Sequence, residues 1–154
     1  MIIEIGSDHA GFELKEYLSK QLQKRGKVIL DVGTNSPETV DYAPFCIAVG
    51  EAVASGKANW GIVLGGSGQG EMIAANKVIS IRAALCNDPY YAHLARQVND
   101  ANVIAMGARV IAPQFAMEIL ETWMAVSFEG GRHKRRIDLI TAYEQRRNGL
   151  SERL

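Results

Sequence analysis

Short apolar runs along the chain alternate with longer stretches in which apolar residues return every three or four positions. Ile2 to Ile5 is apolar except at Glu4 and predicts a strand. In the following GFELKEYLSKQLQKRG, Phe12, Leu14, Tyr17, Leu18 and Leu22 mark one side of an amphipathic helix that Gly26 stops. Val28 to Val32 predicts a second strand, and the turn-rich GTNSPETVDYAP follows it. Pro44 to Ser55 reads as helix, WGIVL as a buried third strand, and a further helix begins near Gly70 and runs through EMIAANKV. IRAALC and NVIAMG supply the fourth and fifth strands. Between them lies DPYYAHLARQV, a helix with proline in its first turn. PQFAMEILETWMAV is again helical, and the remainder is a basic turn followed by a polar-faced helix.

Strand and helix alternate throughout, which predicts an α/β fold: a doubly wound parallel sheet with helices on both faces. Ligands of such sheets lie outside the carboxyl ends of the strands, where strand order reverses. The loops in that position read Ser7–Asp8–His9, Gly33 to Asp41, Gly65 to Gly70, Asn87–Asp88 and Gly107–Arg109, and polar side chains gather in them. No internal repeat, low-complexity tract or linker interrupts the pattern, so residues 1–154 read as one domain.

Composition narrows the function classes. With 47% hydrophobic and 22% charged residues the chain is of ordinary globular type. Its 17 basic and 17 acidic residues cancel, so no global field draws nucleic acid or a membrane, and any anion must be held by a local arrangement. No apolar run approaches the roughly 20 residues of a membrane span. Glu4 and Asp8 interrupt what would be a signal peptide. Cys46 and Cys86 stand far apart without metal-ligand spacing and read as buried free thiols of a reducing cytoplasm.

The densest candidate chemistry is LGGSGQGEMIAANK, residues 64–77. It is neither a P-loop, since no Gly-Lys-Ser/Thr follows, nor a dinucleotide fingerprint, since Gly66, Gly68 and Gly70 alternate with single residues. Such a run can aim successive backbone N–H groups into one concavity at a helix start. Four glycines in six residues exceed what a tight turn needs, although a turn with Glu71 complementing the helix dipole is the plainer alternative. After the first strand, Asp8 reads as an N-cap or a site carboxylate, and His9 as a packed or a functional imidazole. In the tail, GGRHKRRID carries Arg132, His133 and Arg136. Charge runs are usually solvated faces, but Arg132 and Arg136 are four apart and share one side of a helix, able to fork onto one phosphate. Glu129 and Asp138 flank the run, which argues against nucleic acid. Trp60, Trp123 and the pair Tyr90–Tyr91 read as core or interface packing.

GSDHAGFELK, VDYAPF, GGSGQGEMIAANK, IRAALC, NDANVIAMGARV and FEGGRHKRRID together resemble, in order and from Met1 to about Tyr143, the ribose-5-phosphate isomerase B and galactose-6-phosphate isomerase family. The resemblance implies a three-layer αβα sandwich on a Rossmann-like five-stranded parallel sheet. It also implies homodimers or larger assemblies with each active site at a subunit interface, the basic segment and helix at about 128–154 reaching the partner. The implied reaction interconverts an aldose phosphate and its ketose through an enediol(ate), without metal or organic cofactor. One branch of the family uses a cysteine at the position of Ser67 as base; the other has serine there and a glutamate four residues on. Ser67 and Glu71 are similar to the second branch, and a desolvated carboxylate is a competent base where an unactivated hydroxyl is not.

By the same resemblance, Gly66, Ser67, Gly68 and Gly70 supply amides to an oxyanion hole, Asp8 and His9 contact the sugar, Tyr42 lines the pocket, and Asn99 bonds a hydroxyl. The phosphate falls to Arg109 of one subunit and to Arg132 and Arg136, with His133 nearby, of the other. The chain departs from the family pattern at Val98, where many members carry the histidine assigned to ring opening. His93 lies about 140° away round the helix and is a poor substitute. Ring opening then falls to His9, to the partner's His133 or to solution, or the substrate is a hexose 6-phosphate such as allose or galactose 6-phosphate rather than ribose 5-phosphate. A catalytically silent sugar-phosphate-binding subunit is the remaining alternative.

Overall fold

The structure, a computed structural model, describes residues 1–151. Five strands, β1 (Ile2–Ser7), β2 (Val28–Asp31), β3 (Trp60–Gly65), β4 (Ala83–Leu85) and β5 (Val103–Gly107), form one parallel sheet in the order β2-β1-β3-β5-β4. Six helices accompany them among the described residues: α1 (Phe12–Lys24), α2 (Ala43–Ala54), α3 (Gln69–Ala75), α4 (Pro89–Gln97), α5 (Pro113–Ala125) and α6 (Arg132–Ser151). The last three residues of the expected terminal helix lie outside the described residues.

Alternation along the strands divides the core into two. Ile3, Ile5, Ile62, Leu64, Ile104 and Met106 face Leu14, Leu18 and Leu22 of α1 and the apolar sides of α4 and α5. Val63, Val103 and Ala105 point the other way, onto Cys46 and Val49 of α2 and Ala74 and Ala75 of α3. Strands buried on both faces explain the near-continuous apolar runs of the sequence. Helix starts are set locally. In α4 the Asp88 carboxylate accepts the Tyr91 N–H at 3.0 Å, and Pro89 occupies the first turn.

Three expectations change. The fourth strand is only Ala83–Leu85, because Arg82 turns its polar atoms onto the loop before β5. Tyr90 and Tyr91 are not core residues, being 69% and 61% exposed on the outer side of α4. The polar-faced terminal helix carries an apolar strip, since Leu139, Ile140 and Tyr143 are all exposed. Trp60 and Trp123 do pack together, 4.9 Å between ring centroids, with Trp123 fully buried.

Candidate active site

Strand order reverses between β1 and β3, and their carboxyl ends stand side by side. The two exits are tied directly, since the Asp8 N–H donates to the Leu64 carbonyl at 3.3 Å. Asp8 is buried and its Oδ1 accepts the Gly11 N–H at 3.1 Å, closing the turn ahead of α1; it is not the N-cap, a position held by Gly11 without a side-chain cap bond. His9 is half-buried. Its Nδ1 faces both backbone groups of Val40, with the N–H at 3.2 Å and the carbonyl at 3.3 Å. Depending on the tautomer, Nδ1 accepts from that N–H or donates to that carbonyl, so Val40 holds the ring in either case. Beside His9 a cavity of about 370 Å³ opens between Glu13, Pro37, Ala108 and Pro113.

The glycine loop turns from β3 into α3 on Gly68, whose φ of 80° is a left-handed conformation that favours glycine. The carbonyls of Gly65 and Gly66 accept from the amides of Ala108 and Arg109, at 2.8 and 3.0 Å, behind the loop. Peptide planarity sets each N–H opposite the carbonyl of its own peptide unit, so the amides of Gly66 and Ser67 point away from that contact. Glu71 follows in the first turn of α3 and is 4% exposed. Its carboxylate lies flat against Gly65: a Cβ built there would come within 1.7 Å of Oε1. Only glycine at that position admits the carboxylate.

Burial raises the Glu71 carboxyl above its ordinary value near 4.5, and the neighbouring Asp8 charge adds to the rise. The backbone amides of Glu71 and Gly68 pull the other way, as a helix start should, without reversing the direction. Beneath the site Cys46 is fully buried; burial and the charges of Glu71 and Asp8 push its thiol up to about 12. The expectation of a buried free thiol at Cys46 holds, but the sequence reading did not bring it to the site. The signal is its spacing of four from Tyr42, which sets both on one side of α2.

The rim is formed by Tyr42, whose ring packs onto Gly70, and by the exposed Arg109, whose guanidinium packs onto Gly66. Ser67 is exposed, and its hydroxyl accepts the Gln69 N–H at 3.3 Å. Asp8, His9, Tyr42, Gly66, Ser67, Gly68, Gly70, Glu71 and Arg109 thus converge on the carboxyl ends of β1, β3 and β5.

Asn99, Arg132, His133 and Arg136 do not join them. Asn99 precedes β5 and is exposed at the amino end of the sheet. The Glu129 N–H donates to the Gln97 carbonyl at 2.9 Å, which starts α6 at that same end. There His133 is buried with Nε2 3.7 Å from the Glu129 carboxylate, while Arg132 and Arg136 are exposed. Further along α6, the Glu144 carboxylate accepts the Ser80 N–H, ahead of β4. Among the described residues no group of three His, Cys, Asp or Glu side chains gathers as a metal site requires, and no helix is long and apolar enough to cross a membrane.

A family model described as Ribose/Galactose Isomerase matches residues 3–140. The chain is 47% identical over 146 residues to ribose-5-phosphate isomerase B of Escherichia coli (strain K12), covering 95% of this chain and 98% of that protein. It is 41% identical over 143 residues to D-erythrulose-4-phosphate isomerase of Pectobacterium atrosepticum, covering 92% and 94%. Among solved structures, ribose-5-phosphate isomerase B of Clostridium thermocellum superposes with a TM-score of 0.93 at 46% identity, covering 95% of this chain and 99% of that one.

Proposed function

The chain belongs to the ribose/galactose isomerase family, and from that premise we propose that it interconverts D-ribose 5-phosphate and D-ribulose 5-phosphate with Glu71 as the base. The observation that carries the reading is the buried Glu71 carboxylate, held against Gly65 with its proton affinity raised. Glu71 takes the proton from C2 of the open-chain aldose, and the electron pair moves onto the carbonyl oxygen. Amides among Gly66, Ser67, Gly68 and Gly70 stabilise the enediolate oxygen. The O2 proton passes to O1, and the same carboxyl then returns its proton to C1 as the C2 carbonyl forms, giving the ketose. Proton uptake also relieves the repulsion between Glu71 and Asp8 just as charge appears on the substrate.

Asp8, His9 and Tyr42 line the sugar, and Arg109 meets its phosphate. Asn99, Arg132, His133 and Arg136 complete the site from a second copy, because their own chain holds them at the far end of the sheet. The working form is therefore a homodimer or a larger homo-oligomer with substrate at the interface. His9, or His133 of the second copy, opens the sugar ring. Buried free thiols suit a cytoplasmic enzyme.

A second reading, a different sugar phosphate, is favoured by Val98 at the position of the ring-opening histidine and by the likeness to an isomerase named for D-erythrulose 4-phosphate. Turnover measured on ribose 5-phosphate, allose 6-phosphate, galactose 6-phosphate and D-erythrulose 4-phosphate separates the two. The highest kcat/KM is expected on ribose 5-phosphate; a higher value on any other replaces the substrate. No turnover on any of them refutes the isomerase reading.

A further inference from the structure

The five-residue loop Val98–Asn102 between α4 and β5 is fixed by more hydrogen bonds than a connecting turn requires. Asp100 sits at its apex with φ 46°, a left-handed conformation uncommon for a residue with a side chain. Two arginines grip it from opposite sides. The Arg82 guanidinium donates through Nε to the Asn99 carbonyl at 3.0 Å and to the Asp100 carbonyl at 3.1 Å. Through Nη2 it donates to the same Asp100 carbonyl at 2.9 Å and to the Asp100 carboxylate at 3.1 Å. Arg96 donates from Nη1 to the other carboxylate oxygen at 2.9 Å and to the Ala101 carbonyl at 2.7 Å.

Arg96 is itself anchored in the core. Its guanidinium lies over the rings of Trp60 and Trp123, 5.1 and 5.8 Å from their centroids. A planar guanidinium offers donors along its edge and a flat face for stacking, and Arg96 uses both. The loop's backbone is thus referred to the start of β3 and to the buried face of α5. The Asn99 side chain takes no part in these bonds and projects, exposed, beside α6.

We infer that Arg82, Arg96 and Asp100 are positioning residues that fix the left-handed turn at Asp100 and so present Asn99 to the sugar bound at the Glu71 centre of a second copy. The inference rests on the reading of Asn99 given above. A fixed loop supplies a hydrogen bond to the transition state without ordering a flexible segment during the reaction, and small misplacements of such groups are costly. The Arg82 fork specifies the positions of two consecutive carbonyls and one carboxylate oxygen, which a lysine's single ammonium cannot reproduce.

The test combines a double-mutant cycle with subunit mixing, each on the full chain. Arg82→Ala and Asn99→Ala are each expected to lower kcat/KM by about ten- to a hundredfold, by loss of alignment. The double variant should be no worse than Asn99→Ala alone, because both changes remove one function. Asp100→Asn, which keeps a residue tolerant of positive φ, should show a smaller loss of the same kind and guards against an Arg82→Ala chain that fails to fold.

Refolding equal amounts of Arg82→Ala and Glu71→Gln chains together should then restore about a quarter of wild-type activity, since half the pairs are hybrids and each hybrid holds one intact centre. Multiplying losses in the cycle, or no recovery on mixing, overturns the inference. Normal kcat/KM for Asn99→Ala overturns it too, and also removes Asn99 from the proposed site. An impaired Asn99→Ala beside normal Arg82→Ala and Asp100→Asn chains refutes the clamp alone.

Discussion

Gly65→Ala tests the placement of the base without touching the base. The new methyl would sit 1.7 Å from Oε1 of Glu71 and 2.3 Å from its Cδ. Ordinary contact needs about 3.5 Å, so the carboxylate must retreat by about 2 Å. Gly65 lacks a positive φ, so alanine does not strain the backbone, and the obstruction falls on the Glu71 side chain. A misplacement of that size is expected to lower kcat by about a hundredfold or more while KM changes little. The assay is steady-state conversion of ribose 5-phosphate, with circular dichroism to verify the fold. In the double variant Gly65→Ala/Glu71→Gln, alanine should add nothing to the loss caused by glutamine. A Gly65→Ala enzyme with near-normal kcat would refute the reasoning, because a displaced Glu71 would then be dispensable.

Two further outcomes follow from the electrostatics. Because the folded Glu71 carboxyl is raised above its ordinary value near 4.5, the fold binds its proton more tightly than the unfolded chain does. That contribution to stability is fully present below pH 4.5 and is lost as pH rises through the raised value. Thermal melts should therefore show Glu71→Gln more stable than wild type at about pH 8, with the difference closing by about pH 4. Equal melting temperatures at both would contradict the raised carboxyl. The kcat/KM of wild type should fall in acid through that same raised value rather than through the ordinary one. Both thiols are buried and pushed up to about 12. Iodoacetamide at about pH 8 should leave native activity intact and modify Cys46 and Cys86 only on unfolding; activity lost in step with labelling would assign the chemistry to a thiol.

The fold was legible because its strands are buried on both faces and its helices on one. WGIVL can only be an interior strand, and Leu14, Leu18 and Leu22 can only be one side of a helix. The fourth strand was overlong in sequence because Ile81 and Arg82 have strand-like neighbours, whereas Arg82 is claimed by the Asn99–Asp100 turn, a partner that spacing cannot reveal. Tyr90 and Tyr91 read as core or interface packing, and their exposure excludes the core alone, a choice that nothing local to a short helix marks. At the site, the glycine run announced close backbone approach, yet what approaches Gly65 is a side chain from the next turn, a fact of rotamer and packing rather than of sequence. Cys46 beneath Glu71, and Val40 holding His9, are products of the α2 and β2 connections meeting at one end of the sheet. The separation of Asn99 and the α6 arginines from Glu71 follows from counting strand ends once the topology is known.

The most direct measurement is the turnover of ribose 5-phosphate by Glu71→Gln beside wild type in deuterated water. Wild type is expected to form ribulose 5-phosphate with solvent deuterium entering at C1, the mark of a single base exchanging its proton during transfer. Glutamine keeps the shape of the side chain and cannot accept the C2 proton, so kcat should fall by about 10²- to 10⁴-fold with the fold intact. A Glu71→Gln enzyme that turns over ribose 5-phosphate at a rate close to wild type would contradict the assignment of Glu71 as the base.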